Sequence, residues 1–417
     1  MKKRTRVLPA LTPESSLKRR LRRHLRDLGF EKSEDGNLLP PASTKNSIRR
    51  AHAVHRADVL EKNAEFAAQR FPRLKIHLAS GHEVQPTRIR PRLEVIRSDT
   101  WQSDLFRLAT LSWSIPVSQG FGRRIRYLVW DQHNNKLIGV IALGDPVFNL
   151  RARDEHIGWN SSARRQRLVN IMDAYVLGAV PPYNSLLCGK LVACLVRTQE
   201  VRRDFHSKYG QTTGIISQAP KQARLVLVTT SSALGRSSVY NRLKIKGQAY
   251  FSSIGHTGGW GHFHVPDDLF SDLRQYLRGM SHAYVDGHAF GDGPNWRLRT
   301  IRAALDALDF KGDLLRHGIR REVFVCHLAT NAEQVLRGDR KRPSFNTLKT
   351  VDVVAELAKE RWIVPRAQRQ PSFNDWEVAD FEALINAKAV GHSEKSAPNV
   401  VRLEHTVSDI ESLCGTR

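Results

Sequence analysis

The clearest hydrophobic pattern in the chain is a leucine stripe close to its N-terminus. The stripe consists of Leu17, Leu21, Leu25 and Leu28, at spacings of four, four and three residues. Such spacing places all four leucines on one side of an α-helix. Thr12 and Pro13 suit the start of that helix, and Gly29 suits its end. A second helix is predicted over about residues 47–70.

From about residue 96 the pattern changes to short apolar runs that are separated by turn residues. The predicted elements are a hairpin from strands at 127–130 and 137–143, strands at 171–180 and 225–230, a long helix at 186–209 and a short helix near 238–243. Strands that alternate with helices predict an α/β (α+β) fold, in which helices flank a mixed central sheet.

Length and pattern together divide the chain into four regions. They are a basic helical N-terminal region at 1–80, a mixed α/β core at 81–270, a mostly helical C-terminal region at 271–384 and a flexible tail at 385–417. The core begins with an irregular, proline-containing linker at 81–93. The helical patterns of the C-terminal part lie at 269–278, 296–308 and 352–362.

The charge of the chain is strongly basic and unevenly distributed. It has 66 Lys and Arg against 41 Asp and Glu, a net charge of +25. Residues 1–100 carry +12, residues 101–270 carry +11 and residues 271–417 only +2. This one-signed excess predicts a polyanionic partner, and we expect a nucleic acid, with DNA favoured. A basic surface that serves solubility or binds an acidic protein is the alternative.

The composition fits neither a membrane protein nor an oxidising compartment. Apolar stretches are interrupted within about ten residues, far short of the ~20 that cross a bilayer. The four cysteines show neither CxxC spacing nor disulfide density. We therefore expect a reduced, cytoplasmic chain without a membrane partner.

The faces of the N-terminal helix that lack leucine are basic. They carry Lys18, Arg19, Arg20, Arg22, Arg23 and Arg26. Together with Arg123 and Arg124 of the predicted core, these side chains are our candidates for contact with nucleic-acid phosphates. In the alternative interpretation, the helix only caps the body of the protein. Binding to an anionic membrane is disfavoured because the leucine stripe contains no aromatic residue.

Two loops that follow predicted strands are candidate phosphate or ligand sites. The first turns at two prolines and opens a helix, so free backbone N–H groups and the helix dipole would face a ligand. Its candidates are Asn184, Ser185, Gly189 and Lys190. The second loop is rich in hydroxyl groups, and its candidates are Gly235, Arg236, Ser237 and Ser238. An ordinary helix cap is the alternative explanation for each loop.

Two groups of residues raise the question of a metal ion. They are His256, His262 and His264 in a glycine-rich segment, and Asp145, Asp154, Glu155 and Asp173 in the basic core. Histidines in such a segment more often form hydrogen bonds or contact phosphate. The acidic residues could hold Mg²⁺ for phosphodiester cleavage, but pairing with nearby arginines explains them better. We assign no metal ligand, and a metal-dependent nuclease stays an alternative.

Several long motifs resemble the DruA family of the Druantia anti-phage defence system. They are GFGRRIRYLV at 120–129, ALGDPVFNL at 142–150, RD at 153–154, IGW at 157–159 and DAYVLGAVPPY at 173–183, with further matches at 229–243, 258–264, 293–297 and 317–320. The resemblance covers about residues 80–335. It implies a role in bacterial antiviral defence beside other Druantia proteins, including a large helicase-like partner. It does not imply a catalytic mechanism or a cofactor, which stays unknown.

A weaker resemblance is to the GNAT-type acyltransferases. Residues 128–143, 171–196 and 225–250 are similar to early strands, to a strand with its phosphate loop and helix, and to the final strand segment of that family. The resemblance implies a GNAT-like core, and Tyr240 would match the tyrosine that protonates a leaving thiolate. The [QR]xxGx[GA] loop of that family is missing from this sequence. Two interpretations therefore stay open. The protein is a transferase that acts on nucleic acid or a nucleotide-derived substrate, or it has a GNAT-like fold that binds another ligand.

Overall fold

The computed structural model describes residues 12–35, 38–39, 44–118, 120, 122–213, 220–235, 237, 239–241, 243–259, 264–285, 296–310 and 319–386. The helices are α1 Pro13–Asp27, α2 Lys45–Lys62, α3 Ala64–Leu74, α4 Trp101–Leu111, α5 Arg151–Ile157, α6 Ser161–Arg167, α7 Cys188–Leu195, α8 Gln199–Tyr209, α9 Asp267–Gly279, α10 Trp296–Ala307, α11 Ala332–Arg337, α12 Val351–Ala358, α13 Val364–Arg369 and α14 Val378–Asn386. The strands are β1 Glu31–Lys32, β2 Leu38–Leu39, β3 Pro91–Val95, β4 Arg124–Asp131, β5 Lys136–Gly144, β6 Ile171–Ala179, β7 Gln211–Thr213, β8 Pro220–Gln222, β9 Leu227–Ser231, β10 Lys244–Ile245, β11 Gln248–Ala249, β12 Ser252–His256 and β13 Glu322–His327.

Seven strands form one mixed sheet in the order β12-β13-β9-β6-β5-β4-β3. Every neighbouring pair is antiparallel except β6 and β9, which are parallel. The connection between these two strands contains α7 and α8, as parallel neighbours require a crossover. The predicted hairpin is formed by β4 and β5, and the α/β class with a mixed central sheet is confirmed.

Helices cover both faces of this sheet. On one face, α7, α8 and α12 pack with the π-helical turn Lys359–Ile363 against the central strands. On the other face, α3, α4 and α14 cover the half that contains β4 and β5, whereas α5 and α11 cover the half that contains β9 and β13. Burial from both sides explains why β5 is apolar almost throughout and is buried at every position after its first.

The N-terminal helix belongs to a separate hydrophobic cluster. Its leucine stripe is buried against residues of α9 and α10. Thr12 caps α1 by accepting a hydrogen bond from the backbone of Ser15, as the sequence predicted. Helix α1 therefore packs on the body of the protein, as the alternative interpretation proposed. Its leucine stripe contacts the C-terminal helices α9 and α10, and its other faces are left to solvent.

Three strands of the central sheet, β3, β12 and β13, were missed by the sequence analysis. The linker at 81–93 leads into β3, which pairs with β4 at the edge of the sheet. The segment predicted to be mostly helical supplies β13, which lies between β12 and β9. Its apolar run is short and has no adjacent hairpin turn, so no local signal marks it. The boundary proposed at residue 270 stays a prediction, although this pairing crosses it.

Three helix predictions were wrong in detail. The long helix at 186–209 is broken between α7 and α8, where the Arg197 guanidinium donates hydrogen bonds to the carbonyl oxygens of His327 (2.7 Å) and Thr347 (3.2 Å). The short helix near residue 240 is a turn in the described residues 239–241. Helix α3 passes through Pro72 and ends at Leu74, four residues beyond the predicted end at residue 70.

In the part of the chain that the structure describes, no helix is both long and apolar enough to cross a membrane. Cys188, Cys194 and Cys326 are buried free thiols. Burial raises the pKa of Cys326 to about 12, so this thiol is protonated and unreactive near neutral pH.

Candidate functional site

The basic side chains of α1 fall into two groups. Lys18 pairs with Glu14 one turn earlier, at 2.6 Å between the ammonium and the carboxylate. Arg20 forms ion pairs with Asp268 and Asp272 of α9. Both cations are therefore already paired within the chain, and the two Arg20 pairs attach α1 to α9.

The second group forms an exposed arginine face. Arg19, Arg23 and Arg26 are exposed and have no ion pair or hydrogen bond with any described residue. Arg22 lies over the Phe310 ring, 5.6 Å from its centroid, and is also exposed. These residues lie opposite the leucine stripe because three- and four-residue spacings return to one side of a helix. The arginine face is therefore available to a polyanion.

Arg123 occupies a different environment from the one predicted. Its guanidinium donates hydrogen bonds to the Asp145 carboxylate (2.7 Å) and to the carbonyl oxygens of Val169 (2.8 Å) and Ile171 (3.3 Å). Only 13% of its side chain is exposed. Because all three nitrogens are used internally, we do not carry Arg123 forward as a phosphate contact. Arg124, the next residue, is exposed at the start of β4.

The structure brings together a cationic pocket that the sequence analysis missed. Its volume is about 440 Å³, and its lining includes Arg202, His206, Arg224, Arg342 and Phe345. The Arg202 guanidinium lies over the Phe345 ring at 4.4 Å, and none of the described residues that line the pocket is acidic. These residues come from three distant parts of the sequence, so no spacing pattern could have connected them.

The loop that follows β6 is held firmly by its surroundings. A cis peptide bond joins Pro181 and Pro182. The Tyr183 hydroxyl donates a hydrogen bond to Asp131 (3.0 Å) and accepts one from Asn134 (2.9 Å). Asn184 is exposed. The loop is therefore anchored to the turn of the β4–β5 hairpin.

The other candidates of this loop lie against the C-terminal helices. The carbonyl oxygen of Ser185 accepts a hydrogen bond from Arg366 (3.2 Å). The Lys190 ammonium lies 5.4 Å from the Trp362 ring centroid. Gly189 is in the first turn of α7, where a side chain would meet open space. Phosphate binding by these residues stays a prediction.

In the second loop, the Ser237 hydroxyl has a structural role. Ser237 is buried, and its hydroxyl accepts hydrogen bonds from the backbone N–H groups of Val239 (3.1 Å) and Tyr240 (3.0 Å). Gly235 has a φ of 74°, which a glycine adopts at little cost. Arg236 and Ser238 lie outside the described residues. Their assignment to a ligand site stays a prediction.

Tyr240 and Asp173 lie close together beside the parallel strand pair. The Tyr240 ring packs against Phe251 and Phe324, with centroids 5.0 Å and 5.3 Å away, and burial raises its pKa to about 12. Asp173 accepts a hydrogen bond from Thr229 at 2.6 Å. Burial raises the pKa of Asp173 to about 6, against the opposing effects of that hydrogen bond and of a nearby arginine.

The other acidic candidates are paired with arginines, as the alternative interpretation predicted. Asp145 pairs with Arg123 and Glu155 with Arg151, both at 2.7 Å. Asp154 bridges Arg153 and Arg164, also at 2.7 Å to each. Among the described residues, these carboxylates and Asp173 form no group with the geometry of a metal site.

The two described candidate histidines lie in different surroundings. His264 stacks on His55 with ring centroids 4.2 Å apart and lies 3.6 Å from the Asp58 carboxylate. Burial lowers its pKa to about 4. His256 is exposed at the end of β12, and His262 lies outside the described residues.

Comparison with known proteins assigns this chain to a protein family. The family model described as Druantia protein DruA matches residues 42–338. The chain belongs to the DruA family. It is 55% identical to the Druantia protein DruA of Escherichia coli (strain UMEA 4076-1) over 373 residues, which cover 89% of this chain and 92% of that protein. No solved structure matches the chain.

Membership in the DruA family makes the protein a component of a Druantia defence system, as the motifs implied. The DruA match includes the whole central sheet and both candidate loops, because these lie between β3 and β13. Helix α1, with its arginine face, precedes the matched segment.

Proposed function

We propose that this DruA-family protein is the nucleic-acid-binding component of a Druantia anti-phage system, and that it binds DNA through the arginine face of α1. The observation that carries the proposal is that Arg19, Arg23 and Arg26 are exposed and unpaired among the described residues, while the leucines of the same helix are buried. Guanidinium groups suit phosphate because they donate hydrogen bonds in a planar fork.

The cationic pocket supplies a second contact in this proposal. Arg202, Arg224 and Arg342 form no ion pair with described residues, so their charge is available to a phosphate backbone. The Arg202 guanidinium, which lies over the Phe345 ring, provides a planar surface of the kind that stacks on an unpaired base. The pocket would therefore engage a single-stranded segment, as expected if the protein acts beside the helicase-like partner that the family resemblance implies.

The experiment compares two double variants that lose the same charge from the same helix. Arg19→Gln/Arg23→Gln removes two exposed arginines, and we expect the slope of log K against log salt to fall by about 1.8, at 0.9 per phosphate contact. Lys18→Gln/Arg20→Gln removes two internally paired cations, so the slope should fall by clearly less than about 0.9. Fluorescence anisotropy with labelled duplex and single-stranded DNA measures both.

Equal effects of the two double variants would overturn the assignment to the arginine face, since net charge alone would then explain the binding. A loss confined to one DNA sequence would also contradict it, because phosphate contacts carry no sequence information.

A second candidate function is a GNAT-like transferase that modifies nucleic acid or a nucleotide-derived substrate. Two observations favour it. The order of β6, a loop, helices α7 and α8, and β9 is similar to the order of elements in the GNAT-type acyltransferases. Tyr240 lies beside Asp173, next to the parallel pair of β6 and β9. Tyr240→Phe should abolish any transfer activity and leave DNA binding unchanged. Coenzyme A that copurifies with the protein would support this candidate. The nuclease alternative has weaker support, because Asp145, Asp154 and Glu155 are paired with arginines.

A further inference from the structure

Three side chains from distant parts of the sequence converge beside the sheet. His156 lies in the last turn of α5, His327 is the last residue of β13, and Glu333 is in the first turn of α11. One ligand atom from each lies within 4.8 Å of the other two. No sequence motif marks this group, which is distinct from both candidate loops.

Both imidazole rings contact the same carboxylate oxygen of Glu333. The His156 Nε2 atom lies 3.3 Å from Glu333 Oε1, and the His327 Nε2 atom forms a hydrogen bond to that oxygen. Bonds of about 2.0–2.2 Å from one zinc ion to a nitrogen and an oxygen, at a tetrahedral angle, place the two ligand atoms roughly 3.4 Å apart. The spacing between His156 and Glu333 therefore fits a shared ion.

The elements that present these side chains are held in place by hydrogen bonds. The carbonyl oxygen of His327 accepts a hydrogen bond from Arg197 (2.7 Å). Helix α11 is attached to the segment after α5 by the Trp159 indole N–H, which donates to the carbonyl oxygen of Leu336 (2.6 Å). These attachments matter because a metal site tolerates only small displacements of its ligands.

The donor set and its exposure indicate the class of ion. Two imidazoles and one carboxylate form a set found in catalytic zinc sites, whereas Mg²⁺ and Ca²⁺ prefer oxygen ligands alone. His156, His327 and Glu333 keep 34%, 32% and 26% of their side chains exposed. Solvent can therefore reach a further coordination position.

We propose that His156, His327 and Glu333 bind one divalent transition-metal ion of the zinc class, with water in the remaining position. The simpler alternative is a pair of hydrogen bonds between the histidines and Glu333, without a metal. The proposal does not depend on nucleic-acid binding, and its test uses the metal alone.

The test titrates chelator-treated full-length protein with Co²⁺ and Zn²⁺. The wild-type chain should bind one equivalent, with visible Co²⁺ absorption that zinc displaces. His156→Gln and Glu333→Gln should each weaken binding at least about 100-fold, since even outer-shell changes cost 10–100-fold. His82→Gln is the matched control, because His82 is exposed in the turn Gly81–Glu83 before β3, at the opposite edge of the sheet from β12 and β13.

Circular dichroism and melting temperature, both measured in EDTA, show whether a variant that loses metal binding is still folded. His156 is partly exposed, so His156→Gln should melt with the wild-type protein in EDTA and should lose only the increase in melting temperature that zinc gives. Stoichiometric binding that both ligand variants retain would overturn the proposal. Absence of a one-equivalent site in the wild-type protein would also overturn it.

Discussion

Arg153 illustrates how this strongly basic chain places a charge in its interior. Its side chain is completely buried. The guanidinium donates hydrogen bonds to the carbonyl oxygens of Val147 and Phe148, both at 2.8 Å, and to the Asp154 carboxylate at 2.7 Å. Asp154 also accepts a hydrogen bond from Arg164 (2.7 Å). One carboxylate therefore balances two arginines.

We predict that Asp154→Asn destabilises the protein by about 3–5 kcal/mol, because it leaves the buried Arg153 without its counter-charge. Urea unfolding of the variant and the wild-type protein measures the loss. The neighbouring Glu155→Gln is the control. Glu155 is exposed and pairs with Arg151 one turn away, so its loss should cost less than about 0.5 kcal/mol. Similar losses in the two variants would contradict this account.

Asp173 gives a prediction for the dependence of stability on pH. Its pKa is raised to about 6 in the folded chain, whereas an aspartate in the unfolded chain titrates near ~4. Between these values the unfolded chain has lost the proton and the folded chain keeps it. The contribution of Asp173 to the free energy of unfolding is therefore largest below about pH 4. It decreases as the pH rises to about 6 and stays constant above that pH.

Asp173→Asn removes this titration, while its amide oxygen can still accept the hydrogen bond from Thr229. The stability of the variant relative to wild type should therefore rise by up to about 3 kcal/mol between pH 4 and pH 7. Urea unfolding at several pH values measures the difference. Parallel pH profiles for the two proteins would show that Asp173 has an ordinary pKa.

At the scale of elements, α1 was the most predictable part of the chain. Its leucine spacing, Thr12 cap and Pro13 gave its position and the side that is buried. The sequence could not name its partners, because α9 and α10 lie about 250 residues further along the chain. For the same reason it could not divide the arginines into paired and exposed groups.

We predict that Leu21→Ala releases α1 from α9 and α10. Leu21 is fully buried in their shared cluster, and such a truncation costs about 2–5 kcal/mol. Because this cluster is separate from the sheet, hydrogen exchange should accelerate in α1, α9 and α10 and stay slow in β5 and β6. Arg19→Ala, on the exposed side of α1, should leave exchange unchanged. Uniform acceleration across the sheet would mean that the cluster does not open independently.

At the scale of the whole molecule, the sheet joins regions that the sequence pattern separated. Strand β13 pairs with β9 on one side and with β12 on the other, and α12 covers the sheet from the same C-terminal part of the chain. A fragment limited to residues 81–270 contains β9 and β12 without the strand that links them. Unpaired strand edges of this kind favour aggregation.

We therefore predict that the 81–270 fragment is insoluble or lacks fixed tertiary structure, whereas a 12–386 fragment folds as the full chain does. Near-ultraviolet circular dichroism and size-exclusion chromatography distinguish these outcomes. A monomeric, cooperatively folded 81–270 fragment would support the domain boundary proposed from the sequence.

Local sequence alone determined the amphipathic helix, the β4–β5 hairpin, strands β6 and β9, the mixed α/β class and the basic character of the chain. Each of these depends on the spacing or composition of neighbouring residues, and the long motifs identified the family. Tertiary structure alone decided the place of β13, the internal pairing of Arg20 and Arg123, and the meeting of His156, His327 and Glu333. Those features depend on contacts between segments that are distant in sequence, and such contacts form only when burial of the shared core brings the segments together.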